Sequence, residues 1–146
     1  MKRSRELREL SVQHHYGLVA ARSLSQAAQS DAPVKEVVAR FLAAWRAEIQ
    51  PHFRLEEEFL LPEFARVVPA DDALIVRTLT EHVALRRAVH ELEASQNEPA
   101  PPLLEATGRA LHDHIRFEER ELFPAVEAAL EGPRLAELGR RLLGET

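Results

Sequence analysis

Two stretches of the sequence place a histidine four residues before a glutamate in a repeated context. The first is PHFRLEEEFLLP, residues 51–62, and the second is DHIRFEERELFP, residues 113–124. At an offset of 62 residues, His52 matches His114 and Glu56 matches Glu118. Residues four apart lie one above the other on a helix, so each pair would project its imidazole and its carboxylate together. Imidazole with carboxylate is a ligand combination that suits iron or another borderline divalent metal.

His82 shows a related pattern, because leucines stand three residues before and three residues after it. A histidine or a carboxylate in such an apolar stripe is costly unless it is paired or neutralised. Together with one histidine from the first predicted helix, the four imidazoles and two carboxylates would suffice for two metal ions if Glu56 and Glu118 both bridge them. The remaining coordination positions would be open to water, a bridging oxygen and a small ligand such as dioxygen.

The first predicted helix offers two adjacent histidines, of which only one can point inward, because neighbours diverge by about 100° on a helix. His15 has apolar residues three positions before and after it, although arginines lie seven positions away. His14 has leucines and an alanine on its side, but Ser11 and Gly17 in the nearest places. The pattern favours His15 as the inward residue and keeps His14 as the alternative.

Hydrophobic patterns with a period of 3.6 residues predict four long helices and no strand. These helices cover about residues 4–29, 33–65, 72–95 and 103–130, and a short fifth helix follows over 134–143. We expect Asp31 to cap the second helix and Pro51 to kink it beside His52. Short loops between long helices indicate antiparallel neighbours, so the predicted fold is all-α, an up-down-up-down antiparallel four-helix bundle with a short C-terminal fifth helix.

The composition sets the class of protein. A chain of 146 residues fits one domain, 1–146, with its core in about 7–130 and the short helix in 131–146. The absence of cysteine excludes disulfides and thiolate metal sites. A net charge of −5 disfavours nucleic acid as a partner. No apolar run reaches the roughly 20 residues that span a membrane, so a cytoplasmic protein is expected.

Taken in order, the motifs resemble the hemerythrin-like (HHE cation-binding) domain family. They are the HH pair, HxxxE followed by LLP, EH, and HxxxE followed by LFP, and the resemblance covers about residues 7–130. It implies a four-helix bundle that holds a non-haem di-iron centre bridged by oxygen and carboxylates. Carried over residue by residue, the implied ligands are His15 (or His14), His52, Glu56, His82, His114 and Glu118, with both glutamates bridging.

One position departs from the oxygen-carrying members of that family. Arg86 stands four residues after His82, where those members have a further histidine, and arginine does not deprotonate to bind metal. The resemblance therefore implies the four-histidine, two-glutamate members associated with nitrosative or oxidative stress, iron sensing or iron handling. We expect Arg86 to pair with a carboxylate at the rim or to hydrogen-bond an anionic ligand. Glu57 and Glu119 could hydrogen-bond the metal ligands.

The predicted function is a non-haem di-iron protein that binds or reacts with dioxygen, nitric oxide or peroxide, in stress response or sensing. One alternative is a module that stores or senses iron without turnover, and another is a metal-free helical interaction domain. Zinc or manganese could occupy the same ligands. The sequence indicates neither a catalytic residue beyond the ligands nor an oligomeric state or a redox partner.

Overall fold

The computed structural model describes residues 2–144, and this part of the chain contains helices and no strand. Helix α1 is Arg8–Ser25, followed by a 3-10 turn at Ala27–Gln29. Helix α2 runs over 34–64, α3 is Ala73–Ala94, α4 runs over 101–129, and α5 is Pro133–Leu142. The predicted five helices are therefore present. Among the described residues, none of these helices combines the length and hydropathy needed to cross a membrane.

The start of α2 differs from the sequence-based expectation. Pro33 occupies the N-cap with φ −57° and ψ 141°, and no side chain caps this helix end. Asp31 is exposed two residues earlier, so its predicted capping role was wrong. Because the backbone at Pro33 is extended, the helix begins at Val34, and Asp31 stands two residues before the N-cap position. At α3, by contrast, the Asp72 carboxylate accepts a hydrogen bond from the Leu74 N–H at 2.9 Å.

Three π-helical turns lie within α2 and α4, both of which continue through them. They are Trp45–Ile49, Glu56–Leu60 and Glu118–Leu122. Each is followed by one residue and then by a proline, at Pro51, Pro62 and Pro124. The N–H of the residue before each proline donates to the carbonyl five residues earlier. Proline lacks an N–H and its ring clashes with the carbonyl four residues back, and a wider π turn moves that carbonyl away. Two of these turns begin at the duplicated glutamates.

Two apolar clusters form the core. One is built around Phe41, Trp45 and Phe53, and the other around Phe64, Phe123 and Leu138. Along α1 and α3, residues of the second cluster precede those of the first, whereas α2 and α4 have the opposite order. Leu138 belongs to α5, so the short helix packs against the second cluster. The polar residues described below lie where the two clusters meet: Phe53 of the first cluster stacks on His82, and Phe123 of the second stacks on His14.

Two glycines allow α1 and α4 to pack closely. A Cβ at Gly108 would lie 2.6 Å from the Ala21 carbonyl oxygen and 2.7 Å from the Ser25 backbone nitrogen. A Cβ at Gly17 would meet the side chain of Ile115, with Cδ1 at 2.7 Å and Cγ1 at 4.0 Å. A backbone atom cannot move without shifting its helix, whereas the end of an isoleucine side chain can rotate. Gly108 is therefore fixed by sterics more strictly than Gly17.

We expect Gly108→Ala to lower the free energy of unfolding by about 3 kcal/mol, because α1 and α4 must separate to admit the methyl group. Gly17→Ala should change it by no more than about 1 kcal/mol, since the helix-propensity gain of alanine offsets the adjustment of Ile115. Urea denaturation of the two variants measures the difference. Equal midpoints would show that the α1–α4 spacing is not set at Gly108.

Candidate metal centre

Six buried polar side chains from the four long helices converge between the two apolar clusters. None of them is more than 5% exposed. They are His14 from α1, His52 and Glu56 from α2, His82 from α3, and His114 and Glu118 from α4. Five of the six come from the histidine and glutamate positions that the sequence singled out without an alternative.

These side chains form two groups that share both glutamates. The His14 group consists of His14, His52, Glu56 and Glu118, and the His82 group of His82, His114, Glu56 and Glu118. One oxygen atom of each carboxylate lies toward each group. In the His14 group, Nε2 of His14 is 2.8 Å from Glu118 Oε1, and Nε2 of His52 is 3.1 Å from Glu56 Oε2. In the His82 group, Nε2 of His82 is 3.1 Å from Glu56 Oε1, and Nε2 of His114 is 3.1 Å from Glu118 Oε2.

Most of the facing atoms have no hydrogen-bond partner. Seven buried polar side-chain atoms of the described residues lack one, and six of these belong to the cluster. They are Nε2 of His52, His82 and His114, both oxygens of Glu56, and Oε2 of Glu118. Buried polar atoms in native proteins are normally satisfied, so such a concentration indicates a missing partner that accepts lone pairs. A cation is that kind of partner, and the donor set fits a metal-binding site.

The structure places His14 in the cluster and His15 outside it. His15 is exposed and contacts Tyr16, and Val12 beside it is 45% exposed, so the preference for His15 was wrong. The inner stripe of α1 instead passes through His14 and Gly17. Glycine is not counted as apolar in a periodicity argument, yet here it faces the interior because α4 packs against it.

The apolar stripe predicted around His82 is correct on only one side. Leu85 is buried, but Leu79 is 41% exposed. Thr78 takes the inner place, and its hydroxyl donates to the Leu74 carbonyl at 2.7 Å. A threonine that satisfies its hydroxyl within its own helix can face the interior, which a search for apolar residues overlooks.

The outer nitrogen, Nδ1, of each histidine has a partner on another helix. The Nδ1–H groups donate to Glu119 from His14 at 2.6 Å, to Gln13 from His52 at 2.7 Å, to Glu57 from His82 at 2.7 Å, and to Glu81 from His114 at 2.8 Å. These four hydrogen bonds form a closed ring: α1 holds a histidine of α2, α2 one of α3, α3 one of α4, and α4 one of α1. A hydrogen bond at Nδ1 fixes the tautomer that leaves Nε2 free to bind metal.

Three arginines extend the ring outward. Each contacts one of its carboxylates: Arg86 with Glu57 at 3.0 Å, Arg77 with Glu81 at 2.8 Å, and Arg3 with Glu119 at 3.4 Å. Arg86 thus pairs with a carboxylate, one of its two expected roles. Glu57 and Glu119 each hydrogen-bond a histidine of the cluster.

The sequence interpretation did not identify Gln13 and Glu81. Each immediately precedes a histidine of the cluster in the chain, while it serves a histidine of the next helix. Glu57 and Glu119 likewise follow the two buried glutamates directly. A polar residue adjacent to a predicted ligand is therefore the signal that could have found all four ring partners.

Without a metal ion, the carboxylates hold protons on the imidazoles. Burial alone would lower the pKa of His52, but the charges and hydrogen bonds of Glu56 and Glu118 together outweigh it and raise the pKa to about 9. Burial likewise opposes the carboxylates at His114 and His82, where the pKa still rises to about 9 and about 11. Burial raises the pKa of Glu118, but the imidazoles, His114 above all, bring it well below its usual value. The two buried carboxylates are therefore neutralised by protons on the imidazoles when no metal ion is bound.

Comparison with known proteins agrees with this site. Residues 6–126 match the hemerythrin HHE cation binding domain. No curated protein and no solved structure matches the chain significantly. The matched segment contains all six converging side chains and most of the 146 residues. The chain therefore belongs to the hemerythrin HHE cation-binding domain family.

Proposed function

We propose that this protein binds two iron ions, one in the His14 group and one in the His82 group, and that Glu56 and Glu118 bridge them. One observation carries the proposal: each glutamate directs one oxygen toward each pair of histidines. Two imidazoles and two carboxylate oxygens per ion leave further coordination positions open. The chain has no cysteine, which disfavours soft metals that prefer thiolate ligands. The four imidazoles disfavour calcium and magnesium, which prefer oxygen ligands, so the ligand set favours iron.

When bound, the two irons would supply a redox-active Lewis-acid centre for a small ligand such as dioxygen, nitric oxide or peroxide. The chain's own residues exclude bulk water, because the six ligand side chains are at most 5% exposed. The hydrogen bonds at Nδ1 orient the imidazoles. Arg86 binds Glu57 and so supports His82 from outside. Arg86 stands where the oxygen-carrying members of the family have a further histidine. We therefore propose a role in stress response or sensing rather than reversible oxygen carriage.

A second candidate is a module that stores or senses iron without turnover. The near-complete burial of all six side chains favours it, because a substrate would have little access to the ions. The two candidates differ in whether the reduced protein reacts with dioxygen, nitric oxide or peroxide more than once per site. A metal-free interaction domain is the least supported, since it leaves six buried polar atoms without a partner.

The proposal includes the detailed topology, an up-down-up-down antiparallel arrangement of α1 to α4 within a single domain. Its support is the alternating order of the two apolar clusters along successive helices. The loops that join these helices are short, which favours antiparallel neighbours. A cytoplasmic location stays a prediction.

The test is the metal content of protein purified without chelator, together with the optical spectrum of its oxidised form. We expect two irons per chain and near-ultraviolet charge-transfer absorption. Two equivalents of zinc or manganese would keep the ligand set and contradict the redox role. No metal after reconstitution with ferrous iron would refute the proposal.

A further inference from the structure

The ring of outer hydrogen bonds has one member of different chemistry. Three of the four histidines donate Nδ1–H to a carboxylate, whereas His52 donates to the amide oxygen of Gln13 at 2.7 Å. The His82 group is therefore supported by two carboxylates, Glu57 and Glu81. The His14 group is supported by one carboxylate, Glu119, and one neutral amide.

This difference matters because the two groups are otherwise closely matched. Each has two imidazoles and one oxygen from each of the two shared glutamates. A carboxylate that accepts from a ligating histidine raises the electron density on its other nitrogen, and losing such a partner typically lowers metal affinity by about 10- to 100-fold. The amide of Gln13 fixes the tautomer of His52 but adds no negative charge.

The arginines of the ring reduce this difference without removing it. Each of the three carboxylates contacts one arginine, whose positive charge partly offsets the negative charge of that carboxylate. This offset therefore applies to every supporting carboxylate in both groups. The side chain of Arg77 is 47% exposed against 30% for Glu81, so solvent screens the charge of this arginine more than that of its carboxylate. Arg3, beside the only carboxylate of the His14 group, is the most buried of the three arginines at 18%. The His82 group therefore keeps two supporting carboxylates, and the His14 group keeps one.

We propose that Gln13 makes the two metal positions unequal, so that the first ion enters the His82 group and the second enters the His14 group. The inference rests on the proposed two-ion centre. The expected preference is about tenfold or more for the first position. Gln13 is in this respect a positioning residue, which acts on the metal through His52.

The test follows which histidines respond first when apoprotein is titrated with Zn²⁺, using the NMR resonances of the imidazole nitrogens. Zn²⁺ is diamagnetic and favours four ligands, the number that each group offers. A difference between the first and second dissociation constants would not by itself show that the positions differ. Two neighbouring cations repel each other, so the second ion binds more weakly even at two equal positions. We expect His82 and His114 to respond to the first equivalent, and His14 and His52 to the second.

Matched substitutions test the role of the partners. Gln13→Glu gives each group two carboxylates, and Glu81→Gln gives each group one, so either variant should distribute the first equivalent over both groups. The double variant leaves two carboxylates on the His14 group and one on the His82 group, and the order of filling should reverse.

Three outcomes separate this inference from the function on which it rests. If His14 and His52 respond first, or if all four respond together in the unmodified protein, the inference is wrong and the two-ion centre stands. An order that the substitutions leave unchanged would also overturn the role of Gln13. If no imidazole responds to excess Zn²⁺, the proposed metal centre fails, and the inference fails with it.

Discussion

Glu118→Gln is expected to abolish the binding of both metal ions. Glu118 has one oxygen 2.8 Å from Nε2 of His14 and the other 3.1 Å from Nε2 of His114, so the same carboxylate belongs to both groups. The amide keeps the size of the side chain but loses its charge and one of its two acceptor oxygens. We expect no ion to be retained after gel filtration, by elemental analysis. The metal-dependent stabilisation should disappear too, about 4 kcal/mol at a free metal concentration 1,000 times the dissociation constant.

Glu58→Gln is the matched control for this substitution. Glu58 lies in the π turn Glu56–Leu60, two residues after Glu56, and its side chain is exposed. The substitution Glu58→Gln removes one negative charge from a π turn, as Glu118→Gln does, but it leaves the six converging side chains unchanged. The control should retain two ions per chain. If Glu118→Gln also retains two ions, the shared-carboxylate geometry is not the basis of binding.

The metal-free protein is expected to lose stability as the pH rises from 6 to 9. The pKa of His52 and that of His114 are raised from 6.5 to about 9, and that of His82 to about 11. A group whose pKa is raised by folding stabilises the protein fully below its unfolded pKa, and this contribution is lost as the pH rises toward the folded value. The loss should therefore begin near pH 6.5 and continue through pH 9.

Urea midpoints of chelator-treated protein at pH 6, 7.5 and 9 measure this loss. Protein saturated with Zn²⁺ is the control, because a bound cation replaces the protons and the imidazoles no longer titrate in that range. Its midpoint should rise from pH 6 to 7.5, because the unfolded histidines release protons there while the metal-bound ones hold none, and it should not fall between pH 7.5 and 9. A metal-free midpoint that rises toward pH 9 would show that the cluster does not hold protons in place of metal.

The sequence was sufficient for the helices and for five of the six converging side chains. The pairs His52/Glu56 and His114/Glu118 could be recognised because their spacing of four puts both side chains on one face of a helix. Their apolar neighbours showed that this face is the inner one. The choice between His14 and His15 failed because it depended on Gly17, whose inward position follows from the close packing of α4 and not from hydrophobicity.

Contacts between helices were beyond sequence reasoning. Glu81 stands next to His82 but bonds to His114, and Gln13 stands next to His14 but bonds to His52. Such pairings depend on how each helix is rotated against its neighbour, which a single-helix period does not determine. The π turns at the prolines were overlooked for a related reason: a proline inside a long helix predicts a disturbance, but not the form that the backbone takes.

The closed ring of hydrogen bonds also determines how fast metal could leave. Every long helix both donates and accepts within the ring, so no helix can move aside without breaking two of its bonds. An ion held beneath side chains that are at most 5% exposed could escape only after such an opening. Metal release should therefore reach a limiting rate as chelator concentration increases. That plateau would equal the rate at which the bundle opens, and it would report on the dynamics of the protein rather than on the strength of its metal site.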